Sequence, residues 1–172
     1  SLGLAYACNA FGPDHVSSEH DGAIASDPIG QRLQGFGFYE PTDPAELNFE
    51  KAKLLSYSQR WASAIDSVCT CSFIFNTWSI FGFRDLMDLI QAATGWEYTL
   101  FEFMLLGERR LTMMRADNTR EGFSAKDDDL PERLFADPLA DDGPASGKKI
   151  DRNEFIAARK AYYGLSGWNT ET

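Results

Sequence analysis

The chain has 172 residues, 44% hydrophobic, 13% aromatic and 24% charged, which provides apolar material for a well-buried domain and excludes a disordered segment. Its formal net charge of −10 repels phosphate backbones, which argues against nucleic acid and permits a basic redox partner. Three cysteines, with a C-x-C pair among them, make no secreted disulfide framework, and no basic leader of a signal peptide opens the chain, so a cytoplasmic setting is expected.

Residues 1–40 are rich in small residues, with Gly3, Gly12, Gly22, Gly30, Gly35 and Gly37 beside Pro13 and Pro28, and predict turns and short elements. Residues 41–172 read as a helical core. In "EPTDPAELNFEK", Thr42 or Asp43 suits a cap, Pro44 the first turn and Glu46 the third place after Asp43, so a helix is expected to start there. Leu47, Leu54, Leu55, Trp61, Ile65 and Val68 keep helical spacing and deliver Asp66 near the C-terminal end of that helix. The uncharged run from Ser67 to Phe83 is interrupted by Asn76, Thr77, Ser79 and Gly82. It is too short and too polar for a membrane span of about 20 apolar residues, and reads as a segment buried within protein.

"FRDLMDLIQAATG" predicts a second helix with Leu86, Leu89, Ile90 and Ala93 as its apolar stripe and Gly95 as its C-cap. A third follows from Leu100, Phe103, Met104, Gly107, Leu111 and Met114, with Glu108, Arg109, Arg110 and Arg115 around them. The polar stretch beginning "NTREGFSAKDDDLPERLF" and interrupted by Pro131, Pro138 and Pro144 is expected to be ordered by packing. "DRNEFIAARKAYYGLSGW" predicts a last helix, capped by Asp151 with Glu154 three residues on. No stretch alternates at period two for long and no repeat is present, so the expected fold class is all-α, one multihelical domain over residues 1–172 with irregular loops. The chain opens at "SLGLAY" without an initiator methionine and stops in the polar "NTET", which suggests a piece of a larger protein.

Three constellations invite chemistry. In "RWASAIDSVCTCSF" a helix end carries Asp66, with Cys69 and Cys71 just beyond. A carboxylate there can accept paired N–H bonds from a flat heterocycle, and a thiolate can bind iron. The bland reading makes Asp66 a solvated helix-end acid and the cysteines small buried hydrophobes. In "GPDHVSSEHDG" the residues His15, Glu19, His20 and Asp21 fit neither H-E-x-x-H nor H-x-x-E-H, so a polar turn with surface histidines stands against a pocket proton donor. Finally, Arg120, Glu121, Lys126, Asp127, Asp128, Asp129, Glu132 and Arg133 read as a mixed-charge network pinning a loop; no D-x-D-x-D-G calcium loop is present.

Taken together, several segments resemble the C-terminal part of the tungsten-dependent aldehyde ferredoxin oxidoreductase family. "GLAYACNAFGPDH" resembles its G-L-x-Y-A-x-x-x-x-G-x-x-H segment, and "AIDSVCTC" its D-x-x-G-L-C element. "GERRLTMMRADNTREGFSAKDDDLPERLF" is similar to its G-E-R…N-x-R-E-G-F…K-D-D-x-L-P-E-R stretch, and "YYGLSGW" to its closing Y-Y-x-x-x-G-W. The resemblance implies that Asp66 hydrogen-bonds one pterin of a bis-pterin tungsten (or molybdenum) cofactor. It implies that Cys71 ligates a [4Fe–4S] cluster, and that His15 lies near the metal as the proton-handling group, placed to hydrogen-bond or protonate the substrate's carbonyl oxygen. The other cluster cysteines lie upstream in such proteins. The intact enzyme is then expected to oxidise a small aldehyde to the carboxylic acid with ferredoxin or a similar carrier as acceptor, the fragment alone being inactive and free of cofactor. A family member acting on an aromatic acyl thioester, or a stand-alone helical interaction domain, are the alternatives. Two departures stand out: Cys69-Thr70 replaces the family's Gly-Leu before the cysteine, and the residues between His15 and Asp21 match poorly.

Overall fold

In a computed structural model the described residues are 1–26, 31–140, 143 and 145–170. They form eight α-helices, one short 3-10 turn at Asp21–Ile24 and no strand. The expected breaks at Pro28, Gly30 and Pro144, and the last two residues of "NTET", lie outside the described residues. The helices are α1 (Leu2–Cys8), α2 (Gln31–Gly35), α3 (Phe49–Ser67), α4 (Ser72–Phe75), α5 (Phe83–Thr94), α6 (Leu100–Arg120), α7 (Arg133–Ala136) and α8 (Arg152–Leu165).

Helix α3 is the axis, and apolar residues on two of its sides build two cores. On one side Leu54, Trp61, Ala64 and Ile65 pack with Phe36 and Phe38 after α2, Leu86 and Ile90 of α5 and Phe103 of α6. On the other, Ala52 and Leu55 pack with Leu4, Ala5 and Cys8 of α1, Phe135 of α7 and Phe155, Ala158, Tyr162 and Tyr163 of α8. Complete burial of a side chain such as Leu54 or Phe103 stabilises by about 2–3 kcal/mol. Two polar residues on the buried surface of α3, Ser58 and Gln59, are matched by partners, whereas the buried Ser56 hydroxyl has none among the described residues. Gln59 donates to Asn9 Oδ1 at 3.1 Å and accepts from the Tyr162 hydroxyl at 2.5 Å, while Ser58 Oγ accepts from the Glu19 amide at 2.8 Å.

The α3–α6 crossing depends on one missing methyl. A Cβ at Gly107 would lie 1.8 Å from the carbonyl oxygen of Arg60, so only glycine lets the two backbones meet there. The gap is closed by a hydrogen bond from Ser63 Oγ to the Gly107 oxygen at 3.0 Å.

Four helices end in the same way. The amide one residue past the cap bonds three residues back, and the next amide five residues back, the Schellman closure. It is made by Gly37 and Phe38 after α2, Cys69 and Thr70 after α3, Gly122 and Phe123 after α6, and Gly167 and Trp168 after α8. In each the first of the pair is left-handed, and Cys69, at φ 57°, is the one non-glycine with positive φ among the described residues.

The structure corrects three expectations from sequence. Helix α3 begins at Phe49, not near Pro44: Asp43 closes a local turn through Ala45 N at 2.8 Å, and the N-cap is Asn48, whose side chain accepts from the Lys51 amide. The core stripe of α5 is Leu86 and Ile90 with Phe83 and Met87 partly buried, while Leu89 and Ala93 face out. The run Ser67–Phe83 is not buried within this chain, since Phe73 is 73% and Ile80 91% exposed, with Ile74, Trp78 and Phe81 also exposed. No helix among the described residues is long and apolar enough to cross a membrane.

Candidate functional site at the C-terminal end of helix α3

The closure that ends α3 turns the chain sharply, so that Asp66 sits in the last turn of the helix and Cys71 follows as the residue preceding α4. Both Cys69 and Cys71 are exposed free thiols, so the buried small-hydrophobe reading of that pair fails; Cys8, in α1, is buried. Short helix α4 is tied back to α3 by the Trp61 indole N–H, which donates to Phe75 O at 2.8 Å. Asp66 is 47% exposed and pairs with Arg110 of α6, whose Nη1 lies 3.2 Å from Oδ2. Beside a helix C-terminus a carboxylate meets unfavourable peptide dipoles, and this cation offsets them.

His15 lies on an exposed irregular loop. The His20 ring nitrogen Nε2 donates to the His15 carbonyl at 2.6 Å, so the second histidine holds the backbone of the first. Two further bonds join this loop to the turn after α4: Asn76 Nδ2 donates to Val16 O at 3.1 Å, and the Thr77 hydroxyl donates to the buried carboxylate of Glu19. On the other flank Phe11 lies 6.0 Å beneath the Arg110 guanidinium. Through these ties the His15 loop is linked both to the segment that follows Cys71 and to the arginine that holds Asp66. Sequence reasoning singled out His15, Asp66 and Cys71, and it did not see the contacts of Arg110, Asn76, Thr77 and Glu19 that tie their segments together. Only the G-x-x-R spacing of Gly107 and Arg110 carried a trace of it.

A cavity of about 510 Å³ opens beside the Phe11–Pro13 turn, lined also by Asn118, Phe123 and Asp127–Asp129; none of His15, Asp66 and Cys71 lines it. Its acids are not loose. Asp128 pairs with buried Arg115 at 2.7 Å and accepts from the Tyr163 hydroxyl, and Asp129 pairs with Arg152 at 2.7 Å. The loop is therefore pinned as expected, but by Arg115 and Arg152 together with Arg159, which donates to Ala125 O and Asp128 O, and not by the arginines within the stretch itself.

The chemistry of these donors fits a cluster and a pterin from one side. Cys71 is an exposed free thiol, a group whose thiolate has the chemistry of an iron ligand, and among the described residues no three of His, Cys, Asp and Glu gather around a point. Asp66 keeps Oδ1 without a partner among the described residues, a carboxylate oxygen available to flat N–H donors.

Over its whole length, residues 1–172, the chain matches the family model described as aldehyde ferredoxin oxidoreductase, domains 2 and 3. The chain belongs to the aldehyde ferredoxin oxidoreductase family. It is 31% identical over 170 residues to the tungsten-containing aldehyde ferredoxin oxidoreductase of Pyrococcus furiosus, covering 98% of this chain and 25% of that protein. Proteins of the same name from Thermococcus kodakarensis and Pyrococcus abyssi are each 29% identical over the same shares. The chain thus spans about 25% of the length of these curated relatives. The all-helical architecture agrees with a C-terminal portion of such an oxidoreductase. It also gives the glycine of the family's D-x-x-G-L-C element a local cause: the place held here by Cys69 is the left-handed residue that closes α3.

Proposed function

We propose that this chain builds one wall of the cofactor pocket of a tungsten-dependent (or molybdenum-dependent) enzyme that oxidises small aldehydes to carboxylic acids and passes the electrons to ferredoxin or a similar carrier. The observation that carries the reading is the juxtaposition at one end of α3 of an exposed free thiol, Cys71, and a carboxylate with one open oxygen, Asp66. The names of the relatives, which are tungsten-containing enzymes, support it.

In this reading Cys71 is a ligand of a [4Fe–4S] cluster, Asp66 anchors one pterin of a bis-pterin cofactor, and His15 handles protons. Held by Asp66 and Cys71 together with the rest of the enzyme, the metal–pterin group and the cluster would supply the two-electron redox chemistry. Conversion of an aldehyde and water to the acid also releases two protons. His15 takes up one at a ring nitrogen, its backbone held in place by His20. The apolar residues Phe73, Trp78, Ile80 and Phe81, exposed in the segment that follows Cys71, are the surface that the rest of the same enzyme covers. One thiolate cannot replace the cysteine set of a cubane, so the isolated chain is inert.

The test is aldehyde-dependent reduction of a viologen dye by the complete enzyme carrying His15→Ala. Turnover should fall by about 10²–10⁴-fold, the range for loss of a general acid or base, with tungsten and iron content unchanged. Normal turnover removes His15 from the reaction.

A further inference from the structure

We infer that Arg110 is a positioning residue: it holds one oxygen of Asp66 so that the other faces the N–H donors of the pterin. The inference rests on the reading of Asp66 as pterin anchor and adds a residue and a geometry to it.

Four observations carry it. Arg110 Nη1 lies 3.2 Å from Asp66 Oδ2 and 3.3 Å from Ser63 Oγ, so the guanidinium is fixed to two residues one turn apart on α3. Ser63 is itself committed, donating to the Gly107 oxygen at 3.0 Å. Gly107 stands one turn before Arg110 on α6, and the absence of a side chain there brings α6 against the backbone of α3 at Arg60. Glycine sets the distance between the helices, and the arginine one turn on spans what remains. Lastly, Asp66 has no other partner among the described residues, and its helix end repels a negative charge, so without Arg110 nothing orients the carboxylate.

The consequence is a division of labour within one carboxylate. Oδ2 is occupied by a permanent cation, and Oδ1 is left to accept from a planar ring with adjacent N–H groups, such as the aminopyrimidinone of a pterin. A freely rotating aspartate would offer the same atoms at an entropic cost, and binding would weaken accordingly.

The experiment uses the complete enzyme with Asp66→Ala, Arg110→Gln and Arg110→Lys. Pterin released on oxidative denaturation and tungsten bound per polypeptide are measured, with the thermal midpoint recorded in parallel. Arg110→Gln should lower pterin and tungsten content by about tenfold, as loss of an orienting partner does at other metal centres, with the thermal midpoint preserved. Arg110→Lys should recover part of the loading. Depleted loading in Asp66→Ala with full loading in Arg110→Gln overturns the positioning role and leaves the anchor standing. Full loading in Asp66→Ala overturns the anchor and this inference with it. A loss in Arg110→Gln that follows a fallen midpoint, unrelieved by Arg110→Lys, also overturns it.

Discussion

Cys69 stands at the end of α3 in the place that Gly122 holds at the end of α6, both left-handed and both closing their helix with the same pair of backbone bonds. A side chain in that conformation costs about 1 kcal/mol, which glycine avoids. Cys69→Gly should therefore be neutral or raise stability by up to about 0.5 kcal/mol once the greater freedom of glycine in the unfolded chain is subtracted. Urea denaturation compares the two midpoints; a lowered midpoint would mean that the thiol makes a stabilising contact.

Gly107 and Gly164 offer opposite outcomes for the same substitution. Alanine at Gly107 drives a methyl into the Arg60 carbonyl, a backbone atom that cannot rotate away, and should cost about 3 kcal/mol as the helices part. Alanine at Gly164, which meets nothing within 4 Å and lies in the exposed surface of α8, should be neutral or stabilise by up to about 1 kcal/mol. Thermal or urea unfolding of both variants checks the contrast.

Much of this architecture is legible in the sequence, and the failures share a cause. The stripe of α6 is read correctly because Phe103, Gly107 and Leu111 repeat with helical period and are buried, Phe103 against Trp61 and Gly107 against the Arg60 backbone of α3. The start of α3 misleads because Asp43-Pro44 suits a tight turn as well as a helix, and only the chain downstream, where Asn48 caps, decides between them. The apolar run around Phe73 and Ile80 looks like core because hydrophobicity does not say which polypeptide covers it. Arg110 escaped notice for a related reason: its partner Asp66 is 44 residues away in sequence, and no local pattern joins them.

Removing the Asp128 carboxylate leaves the Arg115 guanidinium buried without its counter-ion, beside the Tyr163 hydroxyl at 3.0 Å. Asp128→Ala should destabilise by about 3–5 kcal/mol, the cost of breaking such a pair from one side. Tyr163→Phe, which removes a neutral hydroxyl that donates to Asp128 and accepts from Arg115, should cost less, about 1.5–3 kcal/mol. Equal losses in denaturation experiments would mean that Asp128 and Tyr163 contribute as equals.

High pH should weaken the fold. Burial, and then the nearby Asp128 carboxylate, pushes the Cys8 thiol far above its usual value; burial followed by Cys8 does the same for Tyr162. Tyr163 is raised by burial and then by its hydrogen bond to Asp128. Each group stays protonated in the folded chain while the unfolded chain ionises, so the stability they provide is complete below about pH 8.5 and is lost as pH rises beyond it. The urea midpoint should fall between about pH 8.5 and pH 11, with Cys8→Ala showing a later onset. A flat profile would contradict the assignment.

The most direct measurement is iron per polypeptide in the complete enzyme carrying Cys71→Ser, set against Cys69→Gly. Loss of the cluster iron in the first with full iron in the second is the predicted result. Full iron with Ser at 71, or iron lost with Gly at 69, would contradict the assignment of Cys71 to the cluster.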